Sequence, residues 1–248
     1  MPRTPRMKVS DLANPSRFMQ FSRWMIPLFA ALALPLLAYG FYLGFQAPAE
    51  RDQSYMFRIM FVHVPSAWLA LGIYTMMAIA ALGTLVWRHP LADVAQKAAA
   101  PFGAAFALIC LVTGSIWGYP TWGTFWEWDG RLTSMLVLFL IYLGIIALWR
   151  AFDEPLAAAK AVAILTLVGF INIPIVKFSV DWWSTLHQPA SVFRLDGPTM
   201  HAAYLNPLLL CALGYSLLFV AMLMIAMRTE IARRRVRTLT IFAAQEAR

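Results

Sequence analysis

The sequence predicts an all-α integral membrane protein, a single membrane domain over 1–248. It has six transmembrane helices, both termini cytoplasmic, and a short interfacial helix in the second outer loop. Three observations predict this. Of 248 residues, 61% are hydrophobic and 13% charged, whereas a soluble domain carries about 25% charged residues; lipid is therefore the solvent for most of the surface. Six apolar runs are each long enough to cross a hydrocarbon core of about 30 Å, which takes roughly 20 helical residues. The basic residues alternate in density from one connection to the next, as the positive-inside rule requires. The runs are continuous in hydrophobicity, which excludes the alternating strands of a barrel.

An N-terminal tail, 1–23, holds Arg3, Arg6, Lys8, Arg17 and Arg23 and leads into a helix near 24–45. Ala47-Pro48-Ala49 resembles a signal-peptide cleavage site, but the 22-residue apolar run before it exceeds the roughly 7–15 residues of a signal core. The helix is expected to remain as an anchor. A first outer connection, Gln46 to Arg58, precedes a helix near 60–87, where Pro65 is expected in the first turn, its missing N–H costing nothing there. His89-Pro90 ends that helix, and the inner turn carries Arg88 and Lys97. Helices near 98–119 and 132–150 flank the second outer connection, and Asp153-Glu154-Pro155 suits the start of a helix near 156–177. The third outer connection runs from Phe178 to Met200, ahead of a helix near 201–227. The tail 228–248, rich in arginine, is expected in the cytoplasm as a continuation of that helix, meeting anionic headgroups or a partner.

With this topology fifteen of the twenty Lys and Arg lie on the side of the termini, and five (Arg51, Arg58, Arg131, Lys177, Arg194) on the other. The formal charge of +8 is thus a record of sidedness, and no nucleic-acid partner is expected. Cys110 and Cys211 sit singly in apolar runs, without a C-x-x-C or C-x-x-C-H motif, as small core residues. No phosphate-binding loop, Ser-His-Asp set or carboxylate pair is present.

The informative stretch is Trp117 to Arg131, containing Trp117, Trp122, Trp126 and Trp128. If 122–129 is helical, Trp122, Trp126 and Asp129 share one face of a short helix along the membrane surface. Tryptophan enriches at both interfaces of any membrane protein. Six of the ten tryptophans, however, fall in two outer loops (Trp182 and Trp183 in the third), with Trp24, Trp87 and Trp149 on the inner side. An aromatic platform suits a large planar ligand, and Arg131 and Arg58 on the same side suit its acids, or equally lipid phosphate. Asp129 can cap the fourth helix or accept from a ligating imidazole. His63 and His187 lie in the loops flanking the platform, and neutral imidazole is a good ligand for the iron of a planar dicarboxylate, haem. His201 is a reserve ligand, and His89 reads as a helix-end residue.

The pattern Trp122-Gly123-x-x-Trp126-x-Trp128-Asp129-x-Arg131-Leu132-Thr133 resembles the tryptophan-rich WWD signature of haem-handling membrane proteins. Six helices, the chain length and one histidine on each side of the signature are most similar to the cytochrome c maturation protein C family. That resemblance implies non-covalently held haem b outside a bacterial inner membrane, with His63 and His187 as axial ligands. It also implies a periplasmic haem chaperone that receives the cargo, ATP-binding-cassette subunits, and a small membrane subunit as partners. The family presents haem and is not expected to be an enzyme in its own right.

Two other readings remain open at this level. A cytochrome b would need histidine pairs facing each other within helices. A permease subunit for a small molecule or haem would show broken helices or a midplane polar site, for which Asn172 and Pro174 are a weak hint.

Overall fold

The structure is a computed structural model describing residues 14–183 and 185–246. Arg3, Arg6, Lys8 and Arg248 of the charge asymmetry lie outside the described residues. The elements are α1 (Pro15–Gln46), a 3-10 turn (Met56–Ile59), α2 (Met60–Leu85), α3 (Ala92–Trp122), α4 (Gly130–Ala151), α5 (Pro155–Gly169), α6 (Asn172–Trp182) and α7 (Ala202–Glu246). Among the described residues six spans are long and apolar enough to cross a membrane, with α5 and α6 forming one of them.

The helices start where local chemistry stops the preceding coil. Asn14 caps α1 by accepting from the Ser16 N–H at 2.9 Å, with Pro15 in the first position, where its missing N–H is harmless. Asp129 caps α4, accepting from the Leu132 N–H at 2.7 Å. The expected helix-end role of His89 is what the structure has: the Leu91 N–H donates to its Nδ1 at 3.3 Å. His201 does the same at α7, accepting from the Ala203 N–H at 3.2 Å. Pro65 lies inside α2 rather than in its first turn, because the 3-10 turn at Met56–Ile59 runs straight into the helix and lengthens it at that end.

Two expectations are corrected. No helix spans 122–129. Instead α3 runs on through Trp122 and stops at Gly123, whose φ of +78° is the left-handed conformation that suits glycine. The next six residues are irregular, held by Thr124 Oγ1 donating to the Trp126 carbonyl at 2.9 Å. The chain has no room for another helix before Asp129 caps α4. The fifth span is broken at 170–171, where Pro174 cannot donate to the Phe170 carbonyl and the Asn172 amide donates to the Ser134 carbonyl of α4 at 2.9 Å. The Ile173 N–H takes the Phe170 carbonyl at 3.0 Å instead, since lipid could not, while the Asn172 bond ties the broken span to α4. Asn172 is therefore committed to packing rather than to a midplane site.

The core lies between α2, α3, α4 and α5, around Tyr74, Met77, Leu138, Tyr142 and Ile145. Both tyrosine hydroxyls find carbonyls, Tyr142 donating to Ala70 at 2.7 Å and Tyr74 to Thr166 at 3.1 Å, since an unpartnered hydroxyl in a dry interior is costly. Along the outside α1 runs against α7. A Cβ at Gly40 would meet Cys211 Sγ at 2.9 Å and one at Gly214 would meet Leu37 at 2.7 Å, the close backbone approach through which membrane helices associate. The start of α1 and the charged end of α7 meet where Arg228 donates to Ser22 Oγ at 2.9 Å. At that end Glu230 of α7, 5% exposed, binds Lys97 at 2.8 Å and Arg234 at 3.0 Å, and Arg234 reaches Asp93 at 2.6 Å. The 45 residues of α7 extend about 67 Å at ~1.5 Å per residue, so the helix continues well past the hydrocarbon, as the tail was expected to do.

Candidate functional site

The opposite end of the bundle encloses a cavity of about 320 Å³, walled by α2, α3, α4, α6 and the 185–200 loop. Ligand pockets typically run from about 300 to 1,000 Å³ with apolar walls and a few placed polar groups, and this one fits that description. On the α3 wall Cys110, Gly114, Trp117 and Thr121 recur at helical spacing, so one face of the helix lines the cavity. His63 faces it from α2 and His187 from the loop.

Each histidine is oriented by a bond at Nδ1. His63 Nδ1 lies 3.1 Å from Thr113 Oγ1, and that hydroxyl donates to the Ile109 carbonyl at 2.6 Å. The threonine hydrogen is thus occupied, so the imidazole donates from Nδ1 and keeps the lone pair at Nε2. His187 Nδ1 lies 3.0 Å from Asp129 Oδ2, an acceptor, which fixes the same tautomer. Asp129 fills both roles the sequence left open, one with each oxygen: Oδ1 caps α4 and Oδ2 holds His187, assisted by the Thr185 hydroxyl. Burial pushes the Asp129 carboxyl up, but hydrogen bonds from Thr185, the Leu132 N–H and His187 outweigh it and keep the group below the usual carboxylate range. Burial lowers the His187 imidazole below its ordinary value of 6.5 despite the pull of Asp129. It is therefore neutral at pH 7 and able to offer a lone pair to a metal.

The aromatic residues are packed onto these two imidazoles. Trp117 meets His63 edge-on at 5.6 Å and donates to Gln53 Oε1 at 2.7 Å; Trp122 meets His187 edge-on at 4.8 Å. Trp126 lines the cavity with its Nε1 buried and without a hydrogen-bond partner among the described residues. Arg131 also lines it, with long bonds to Ser179 Oγ (3.4 Å) and the Lys177 carbonyl (3.5 Å).

Two sequence candidates stand elsewhere. Trp128 is 73% exposed and away from the cavity, edge-on to Trp126 at 5.4 Å. Arg58 caps the end of α1, donating to the Phe45 carbonyl at 2.6 Å and stacking on Tyr55 at 4.4 Å. Five residues at the site were given no site role from the sequence: Thr113 and Thr185, which orient the histidines; Gln53, which fixes Trp117; Lys177, a second cation on the cavity wall; and Gly114. A Cβ at Gly114 would stand 2.9 Å from His63 Cε1. Only the helical spacing of Gly114 with Cys110 and Trp117 was legible; the other four needed the fold.

These residues fit haem as cargo. Two imidazole lone pairs and aromatic walls suit an iron porphyrin. The Trp126 N–H, without a partner among the described residues, could donate to a carboxylate, and Arg131 and Lys177 could meet two.

A family model described as heme exporter protein C matches residues 8–242. Among curated relatives, the heme exporter protein C of Bradyrhizobium diazoefficiens is 58% identical over 96% of this chain and 90% of its own length. That of Paracoccus denitrificans is 44% identical over 94% of this chain and 97% of its own length. That of Escherichia coli K12 is 44% identical over 89% of each. With six apolar spans and this match over nearly its whole length, the chain is a multi-pass membrane protein that belongs to the heme exporter protein C family.

Proposed function

We propose that this protein binds haem b non-covalently on the extracytoplasmic face of the membrane and presents it to a periplasmic haem chaperone during c-type cytochrome maturation. His63 and His187 are the axial ligands, the indoles of Trp117, Trp122 and Trp126 pack the porphyrin, and Arg131 and Lys177 meet the propionates. The single observation that carries the reading is the pair of imidazoles, each bonded at Nδ1 by its own partner, on the walls of one cavity. The names of the relatives point to the same cargo. Bis-histidine ligation fills both axial positions and leaves no site for oxygen chemistry, so the protein holds and hands over haem rather than turning it over. ATP-binding-cassette subunits and a small membrane subunit complete the proposed assembly, because this chain has no nucleotide-binding loop of its own. The basic residues concentrated at the other end of the bundle support this choice of face.

The test is the haem-to-protein ratio of the purified protein, read from its absorption spectrum, beside a reporter fused to the C-terminus. Stoichiometric haem and a cytoplasmic reporter are expected. Absence of haem, or an extracytoplasmic reporter, overturns the reading.

A further inference from the structure

Resting on haem as the cargo, we infer that Asp129 makes His187 the stronger of the two iron ligands, so that His63 is the ligand that yields first when haem leaves. The two imidazoles offer the same atom to iron but stand on unlike supports. His187 Nδ1 donates to a carboxylate at 3.0 Å, and that carboxylate is immobilised: Thr185 holds the same oxygen and the Leu132 N–H holds the other at 2.7 Å. His63 Nδ1 donates at 3.1 Å to Thr113, a neutral hydroxyl whose own hydrogen is committed to the Ile109 carbonyl. A hydrogen bond to an ionised acceptor is roughly twice as strong as a neutral one. An anionic partner at Nδ1 also raises the basicity of the opposite nitrogen, and losing such a partner typically costs about 10- to 100-fold in metal affinity.

The negative charge behind His187 favours ferric over ferrous iron, whereas the groups bonded to the His63 imidazole among the described residues, the Thr113 hydroxyl and the Cys110 carbonyl, are neutral. The order of release follows. The bond from His63 Nε2 to iron breaks with its electron pair returning to the imidazole, and no change of oxidation state is required. The last contact is then on the 185–200 loop rather than on a transmembrane helix. Asp129 is a positioning residue in this scheme, acting through His187.

The test compares haem-loaded parent protein with Asp129→Asn, Asp129→Glu and Thr113→Val, and with His63→Gly and His187→Gly. Asparagine caps a helix as well as aspartate does, so Asp129→Asn keeps the start of α4 and removes the charge. A tenfold loss of ferric relative to ferrous affinity in Asp129→Asn reads as a rise of about 59 mV in the haem midpoint potential, with a smaller shift in Thr113→Val and partial restoration in Asp129→Glu. His63→Gly is expected to retain at least tenfold more haem than His187→Gly, and added imidazole to restore its low-spin spectrum. Equal shifts from Asp129→Asn and Thr113→Val, or equal haem retention by the two glycine variants, overturns the inference while leaving a haem-bearing parent intact. A parent without haem overturns the underlying reading as well.

Discussion

Gly114 offers the sharpest perturbation, because it lies against a proposed ligand without touching the cargo's other contacts. A Cβ placed there would sit 2.9 Å from His63 Cε1, 3.5 Å from Nδ1 and 3.9 Å from Nε2. Ordinary carbon contacts need about 3.5–4.0 Å, so Gly114→Ala requires the imidazole to move by more than half an ångström, about. The movement also strains its 3.1 Å bond to Thr113. Overpacking of this kind typically costs about 1–3 kcal/mol, and a ligand displaced from its iron bears that cost in binding. Haem affinity should therefore fall about 5- to 150-fold, at about 1.4 kcal/mol per factor of ten. Gly72→Ala, where nothing stands within 4 Å, is the control and should leave haem unchanged. The assay is haem titration of the detergent-solubilised protein, followed by absorbance, with thermal melts of the unloaded protein to check folding. Unaltered haem affinity and spectrum in Gly114→Ala would refute the placement of His63 against α3.

Three further outcomes follow from the same geometry. Lys177→Gln and Arg131→Gln should each weaken haem binding by the roughly 1.5–3 kcal/mol of a hydrogen bond to a charged group, yet leave binding of haem dimethyl ester nearly unchanged; equal losses for both ligands would contradict the propionate role. Trp126→Phe removes a buried N–H that has no partner among the described residues, so it should weaken haem binding without lowering the melting temperature of the unloaded protein. Because burial keeps the folded pKa of His187 below 6.5, the folded state refuses a proton that the unfolded chain takes up. Its contribution is fully present above about pH 6.5 and is lost as pH falls toward the folded value; melts of unloaded protein at about pH 7.5 and 5.5 should differ less in His187→Gln than in the parent.

Much of the fold was legible because lipid leaves a chain few choices. A continuous apolar run must be a helix, and six such runs give the six spans observed. Boundaries were less legible where polar residues remain helical past the bilayer: the apolar run of the last helix ends near 227, and its expected continuation reaches Glu246 with Glu230 and Arg234 paired to Lys97 and Asp93 of α3, contacts that composition does not report. The break at 170–171 is marked locally by Pro174, but the Asn172 bond to α4 that accompanies it is reported by no local pattern. The expected surface helix failed for a local reason, since Gly123 takes a left-handed conformation and ends α3. Trp122 and Trp126 nevertheless face one cavity, brought there by a helix end and an irregular strand of chain rather than by a shared helical face. Of the site itself, residue types with distinctive chemistry could be picked out: His63, His187, Asp129, Arg131 and the tryptophans. Their partners Thr113, Thr185 and Gln53 are ordinary residues whose roles exist only through contacts far apart in sequence. Arg58 is a cation on the expected side whose guanidinium is taken by the carbonyls at the end of α1, a pairing that only the fold reports.

The central claim, that His63 and His187 together hold the iron of bound haem, is tested most directly by low-temperature electron paramagnetic resonance of the ferric, haem-loaded protein beside His63→Ala and His187→Ala. A low-spin bis-imidazole signal in the parent that is lost in each single variant is the result this account predicts. A parent signal of any other ligation, or a bis-imidazole signal that survives in either variant, would contradict it.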